Sequence, residues 1–92
     1  MSNVTAVHTD ATGTLATGRR QLRGYHTISG GTAGDVIFRD GGASGTGRLQ
    51  FNIGTGTQPI VMGIPDDGIL FTTDVHVTLP ATAKTTAFLQ VV

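Results

Sequence analysis

Ile69 to Leu79 reads ILFTTDVHVTL, and its residues alternate in character with a period of two. Ile69, Phe71, Thr73, Val75, Val77 and Leu79 fall on one side of an extended chain. Leu70, Thr72, Asp74, His76 and Thr78 fall on the other. In a strand, successive side chains point to opposite faces, so this alternation marks one buried face and one wet face. The segment is long enough for one extended strand, or for two with a bend near Thr73-Asp74. Arg48 to Ile53 repeats the pattern, with Leu49, Phe51 and Ile53 set against Arg48, Gln50 and Asn52. No segment sustains a helical period.

The same reading predicts strands over Asn3–His8, Arg20–Ser29, Asp35–Asp40, Arg48–Ile53, Pro59–Ile64, Ile69–Leu79 and Lys84–Val92. A Thr/Gly-rich connection runs through Gly18 between the first two. Thr and Val enrichment with frequent Gly agrees with β structure. Short strands spaced about 8–12 residues apart predict an all-β fold. The expected form is a small antiparallel β-sandwich or jelly-roll-like barrel of about seven or eight short strands, one domain over 1–92. Pro65-Asp66-Asp67-Gly68 predicts a type I turn on the two aspartates, with Gly68 left-handed, in a hairpin with a three-residue loop and a bulge.

One stretch mimics a nucleotide site. Gly42 to Gly47 has the G-x-x-x-x-G spacing of a phosphate-binding loop. That loop needs a Lys and then a Ser or Thr after its second Gly, and it must open a helix. Here Arg48 and Leu49 follow, and they begin a strand. The glycines therefore predict a hairpin between two strands, where positive φ is needed.

Little else suggests chemistry. A Ser44–His76–Asp40 set is writable, but no G-x-S-x-G elbow surrounds Ser29 or Ser44. His8 with Asp10, and Asp74 with His76, each share a strand face at a spacing of two and resemble halves of a metal site. They read better as solvated polar-face residues, and Asp66-Asp67 as turn residues bonded to their own backbone. No catalytic, cofactor or metal site is expected, and the chain is read as a non-enzyme.

Charge and size point to partners. A chain of 92 residues buries only about 60–65% of its unfolded surface and is marginal alone. It has no Cys for disulfides, and its charged residues are 13% with zero formal net charge, where about 25% charged is ordinary. Near-neutrality favours association. The one charge cluster is Arg19, Arg20 and Arg23. With no Trp and one Tyr, there is neither a broad basic face nor a stacking platform for nucleic acid. The arginines read as interface groups pairing with carboxylates of a neighbouring subunit. Ile37, Leu70 and Phe88 leave the core-facing sets of their strands and complete the candidate interface. No apolar run approaches the roughly 18 residues that span a bilayer. The first residues lack the pattern of a secretory signal, so no membrane or secretory route is expected.

GDVIFRDGGASGTGRLQF followed by IPDDGILFTTDVHVTL resembles small all-β virion proteins of tailed bacteriophages of marine and cyanobacterial hosts. The matching residues are Val36, Phe38, Arg39, Asp40, Gly41, Gly42, Ser44 and Gly45, then Pro65, Gly68, Ile69, Leu70 and Phe71. The likeness runs from about Gly18 to Leu79; the ending AFLQVV departs from it. It implies a virion structural protein assembled in the host bacterial cytoplasm. Within that class it implies a capsid decoration (cement) protein, a homo-oligomer and by likeness a trimer, bridging major capsid proteins. A neck or tail component is the alternative. From another class, a carbohydrate-binding β-sandwich would need exposed aromatics, and Tyr25 is the one tyrosine.

Overall fold

The computed structural model describes residues 4–66 and 68–92. Nine strands follow one another with no helix among the described residues: β1 Val4–Thr9, β2 Gly13–Thr17, β3 Arg20–Ile28, β4 Gly34–Asp40, β5 Thr46–Ile53, β6 Ile60–Gly63, β7 Ile69–Phe71, β8 Asp74–Thr78 and β9 Lys84–Val91. They form two antiparallel sheets, and the fold is all-β as expected. In the five-stranded sheet the order is β1-β9-β3-β6, with β7 also on β3; the four-stranded sheet runs β2-β8-β4-β5.

The inner faces carry the predicted alternation. Val36 and Phe38 of β4 and Val75 and Val77 of β8 are fully buried, and Leu22, Ala87 and Leu89 face them from the other sheet. Leu49, Phe51 and Ile53 turn inward from β5, as their spacing predicts. Tyr25 bridges the sheets. Its ring stacks on Phe51 at 4.5 Å between centroids and tilts against Phe38 at 6.0 Å. Thr27 and Thr85 are also inward and fully buried, and they satisfy each other with a hydroxyl–hydroxyl bond of 2.8 Å.

Two expectations change, and one left open is settled. The connection before Gly18 contains the strand β2, paired with β8. It was hidden because a register shift between Thr14 and Ala16 breaks the period of two, and only Leu15 and Ala16 pack against the core. The long alternating segment is two strands in different sheets. β7 lies on β3, the chain bends at Thr72-Thr73, and β8 lies between β2 and β4.

The turn after β6 also differs from its prediction. Gly68 is left-handed, at φ 75°, and its N–H bonds the Pro65 carbonyl at 3.2 Å. Asp66, however, has φ 60°, the primed hand and not type I. Asp67 lies outside the described residues. β6 and β7 form no hairpin; both run antiparallel to β3, at Gly24–Thr27 and Arg20–Leu22 respectively. They act as one edge strand whose middle loops out beside the β3 bulge at Arg23, where Ile64 N–H bonds the Arg23 carbonyl at 2.9 Å. A Cβ on Gly68 would strike the Leu22 carbonyl, so the loop fits because residue 68 is glycine.

Candidate functional site

The phosphate-loop mimic is the β4–β5 hairpin. Gly41 and Gly42 have φ of 108° and 83°, and Gly45 N–H closes the turn on the Gly42 carbonyl at 3.0 Å. Arg48 reaches back toward Asp40, Nη2 to Oδ2 at 3.4 Å.

Asp40 is the most connected side chain of the molecule's described part. Its Oδ2 accepts from Thr72 N–H at 2.9 Å and the Thr72 hydroxyl at 3.0 Å; its Oδ1 accepts from Thr73 N–H at 2.8 Å and Asp74 N–H at 3.4 Å. Those residues form the bend where the chain passes from one sheet to the other. Asp74 answers from the far side: its Oδ1 accepts from Gly41 N–H at 2.9 Å and Gly42 N–H at 3.0 Å. Two aspartates thus cap each other's turns. The Thr72 amide above all, helped by the other donors, holds the Asp40 carboxyl far below the usual carboxylate range, although burial pushes it upward. This is a structural clamp with no free lone pair aimed at solvent chemistry.

The writable Ser44–His76–Asp40 set does not form. Asp40 is committed to the bend, and His76 Nδ1 is buried without a hydrogen-bond partner among the described residues. His76 is also not the solvated residue expected. It is 6% exposed, because β8 lies inside its sheet, with Arg39 opposite on β4 and Thr14 opposite on β2.

A different hydroxyl–His–carboxylate chain does exist. His8 Nε2 contacts Asp10 Oδ1 at 2.6 Å and Nδ1 contacts the Thr86 hydroxyl at 2.8 Å. An ionised Asp only accepts, so Nε2 donates to Asp10. His8 and Asp10 side chains are 55% and 66% exposed on an open sheet face. Water competes for each bond there, and the trio ties β1 to β9. Among the described residues no group of three or more His, Asp or Glu is placed to hold a metal. The pairs His8/Asp10 and Asp74/His76 sit on different sheets.

The candidate interface residues divide among three surfaces. Leu70, Phe88 and Arg23 belong to the five-stranded sheet, where Leu70 and Phe88 face outward and Arg23 donates to Gln90 Oε1 at 2.7 Å. Across that face lies a row of Ala6, Phe88, Gly24 and Gly63, and neighbouring rows carry Val61 and Leu70. Val61 is 64% exposed and Leu70 38%. Ile37 faces outward on the other sheet, half-buried beside Gln50 and Thr78. It therefore cannot share one flat patch with Leu70. Arg19 lies in the β2–β3 turn and Arg20 opens β3, at one end of the sandwich. Tyr25, the sugar-stacking candidate, is 4% exposed.

Sequence reasoning missed one feature. Between the edges β1 and β2 the sandwich is open, leaving a groove of about 360 Å³. Thr5, Val7, Leu89 and Val91 line it from one sheet, Leu15, Ala16 and Thr17 from the other, and Arg20 stands with them. The arginine cluster was its only trace in the sequence. Comparison with models of protein families, with curated proteins and with solved structures finds no match to this chain.

Proposed function

We propose that the protein is a structural component of a tailed-bacteriophage virion, and within it a capsid decoration (cement) protein that bridges neighbouring major capsid proteins. The resemblance over Gly18–Leu79 supplies the class. The observation that carries the reading further is the outer face of the five-stranded sheet. Ala6, Val61, Leu70 and Phe88 lie on it beside Gln21, Thr86, Gln90, His8 and His26, and its Lys and Arg side chains among the described residues are Lys84 and Arg23. Such a face gains from permanent cover: each large apolar side chain moved fully out of water stabilises by about 1.5–3 kcal/mol. Cover by copies of the same chain gives a closed oligomer, and the trimer follows from the resemblance. Ile37, on the opposite sheet, then remains for the capsid, and Arg19, Arg20 and Arg23 pair with carboxylates of neighbouring chains.

Reconstruction of the intact particle by electron microscopy tests the reading. Density repeated over the icosahedral shell is expected. Density confined to the unique vertex makes the protein a neck or tail component, and its absence from purified particles overturns the virion assignment.

A further inference from the structure

We infer that the groove between β1 and β2 is a strand-acceptor site for an extended segment of another protein, one carrying alternate apolar side chains and a carboxylate at the Arg20 end. The inference stands on the groove alone and does not depend on the virion reading.

Three features of the site converge. First, the opening is unfilled by this chain's own side chains. Folded interiors pack as densely as organic crystals, and the aromatics Tyr25, Phe38 and Phe51 fill the middle and far side of the sandwich. The β1–β2 side is lined instead by short groups such as Thr5, Val7 and Ala16, which leave the room just described.

Second, β1 offers a backbone template. It pairs with β9 on one side, and over residues 5–9 no strand pairs with its other side among the described residues. VTAVHT contains no proline and no Lys, Arg, Asp or Glu, the devices that usually blunt an edge. The facing edge β2 is shorter and broken by its bulge, so it pairs poorly. A strand added to β1 would place every second side chain over the groove.

Third, the charge selects the partner. Arg20 is half-buried at the groove, and its one recorded bond is from Nη1 to the neighbouring Arg19 carbonyl at 3.0 Å. No carboxylate among the described residues forms an ion pair with it. A guanidinium beside apolar surface binds a carboxylate by charge-assisted, often bidentate, hydrogen bonds. A second copy does not supply this group from an edge strand: β1, β2, β5, β6 and β7 contain no Asp, the chain has no Glu, and Asp10 just past β1 is already bonded to His8 Nε2. The occupant is therefore a different chain.

The test uses the peptide Ac-Ser-Val-Thr-Val-Thr-Val-Thr-Asp-NH2, its reversed sequence to cover both strand directions, and versions with Lys in place of Asp. Amide resonances of the labelled full chain are followed during titration. One Asp peptide should shift amides of β1 and of Ala16, Thr17 and Leu89, and bind at least about tenfold tighter than its Lys version, as a charge-assisted contact predicts. Arg20→Gln should remove that preference, and Ala16→Leu, which fills the groove, should abolish binding while the fold persists. Equal binding of Asp and Lys peptides, shifts elsewhere, no shifts, or a preference surviving Arg20→Gln overturns the proposal. Slow exchange of the β1 amides that face away from β9, before any peptide is added, overturns it too, by making a second copy the occupant.

Discussion

Replacing Asp40 by Asn keeps the shape of the side chain and removes its charge, which isolates the clamp from core packing. In the native protein two oxygens receive three backbone N–H groups, one hydroxyl and the Arg48 guanidinium. In Asn one oxygen becomes an NH2 donor. If the remaining oxygen keeps Thr73 N–H, the NH2 faces Thr72 N–H, and that part-buried amide loses its acceptor. The Thr72 hydroxyl rotates to accept from the NH2, so its contact is recovered. A hydrogen bond to a charged group contributes about 1.5–3 kcal/mol, and an orphaned buried donor costs about 1–3 kcal/mol. These overlap for the same Thr72 amide, so the expected loss is about 3 kcal/mol. For a chain of this length total stability is roughly 5–14 kcal/mol, and the melting temperature should fall by about 12–24 °C.

Urea and thermal unfolding followed by circular dichroism measure this at neutral pH, and repeating them in acid checks its cause. The folded-state pKa of Asp40 is depressed, so its contribution is present above the unfolded value of about 3.9 and is lost as pH falls through that value toward the folded one. The wild type should therefore lose its advantage over Asp40→Asn progressively below about pH 5, and the difference should be much smaller by about pH 2 without vanishing, because the folded-state value lies far below the usual carboxylate range. A difference under about 0.5 kcal/mol at pH 7, the range of an ordinary surface change, would refute the clamp. So would a difference that stays constant down to pH 2.

Phe51→Ala removes the ring stacked on Tyr25 and should destabilise by about 3 kcal/mol; Gln50→Ala, on the outward face, should stay within about 0.5 kcal/mol. Similar losses at both positions in chemical denaturation would show the β5 register to be wrong. Gly68→Ala meets both a left-handed backbone and the Leu22 carbonyl; it should lower stability by more than the ~1 kcal/mol of the φ term alone, read as a shifted denaturant midpoint. Mg-ATP and Mg-GTP at millimolar concentration should leave the melting curve unchanged, and a saturable shift abolished by Arg48→Ala would restore the nucleotide reading. Size exclusion with light scattering should give a wild-type mass several times the 9.5 kDa of one chain, and Leu70→Asp should give monomer or insoluble protein; a wild-type monomer at micromolar concentration would end the self-assembly reading.

What the sequence made legible was whatever depends on neighbours one and two residues apart. The faces of β4, β5 and β8, the glycine hairpin and the left-handed Gly68 all follow from period and local backbone freedom. β2 escaped because its bulge destroys that period, and the β6–β7 hairpin was misread because two strands separated by a turn need not pair with each other. Here the Arg23 bulge on β3 accepts both in line. The clamp left a recoverable signal: an Asp at a strand end before two glycines, and T-T-D at a predicted bend, each offering a carboxylate where the other offers free amides. Pairing them requires knowing that β4 and β8 are neighbours, which is non-local. The same limit applies to function. The arginine cluster was visible, but the groove needs the order β1-β9-β3 in one sheet and β2-β8-β4 in the other, which brings the first two strands to one open side. Ile37 and Leu70 were both correctly read as outward, yet outward is defined for each sheet separately. Since the two point away from opposite faces, no single flat contact can use both, and any assembly that does must stack the chains on both sides of the sandwich.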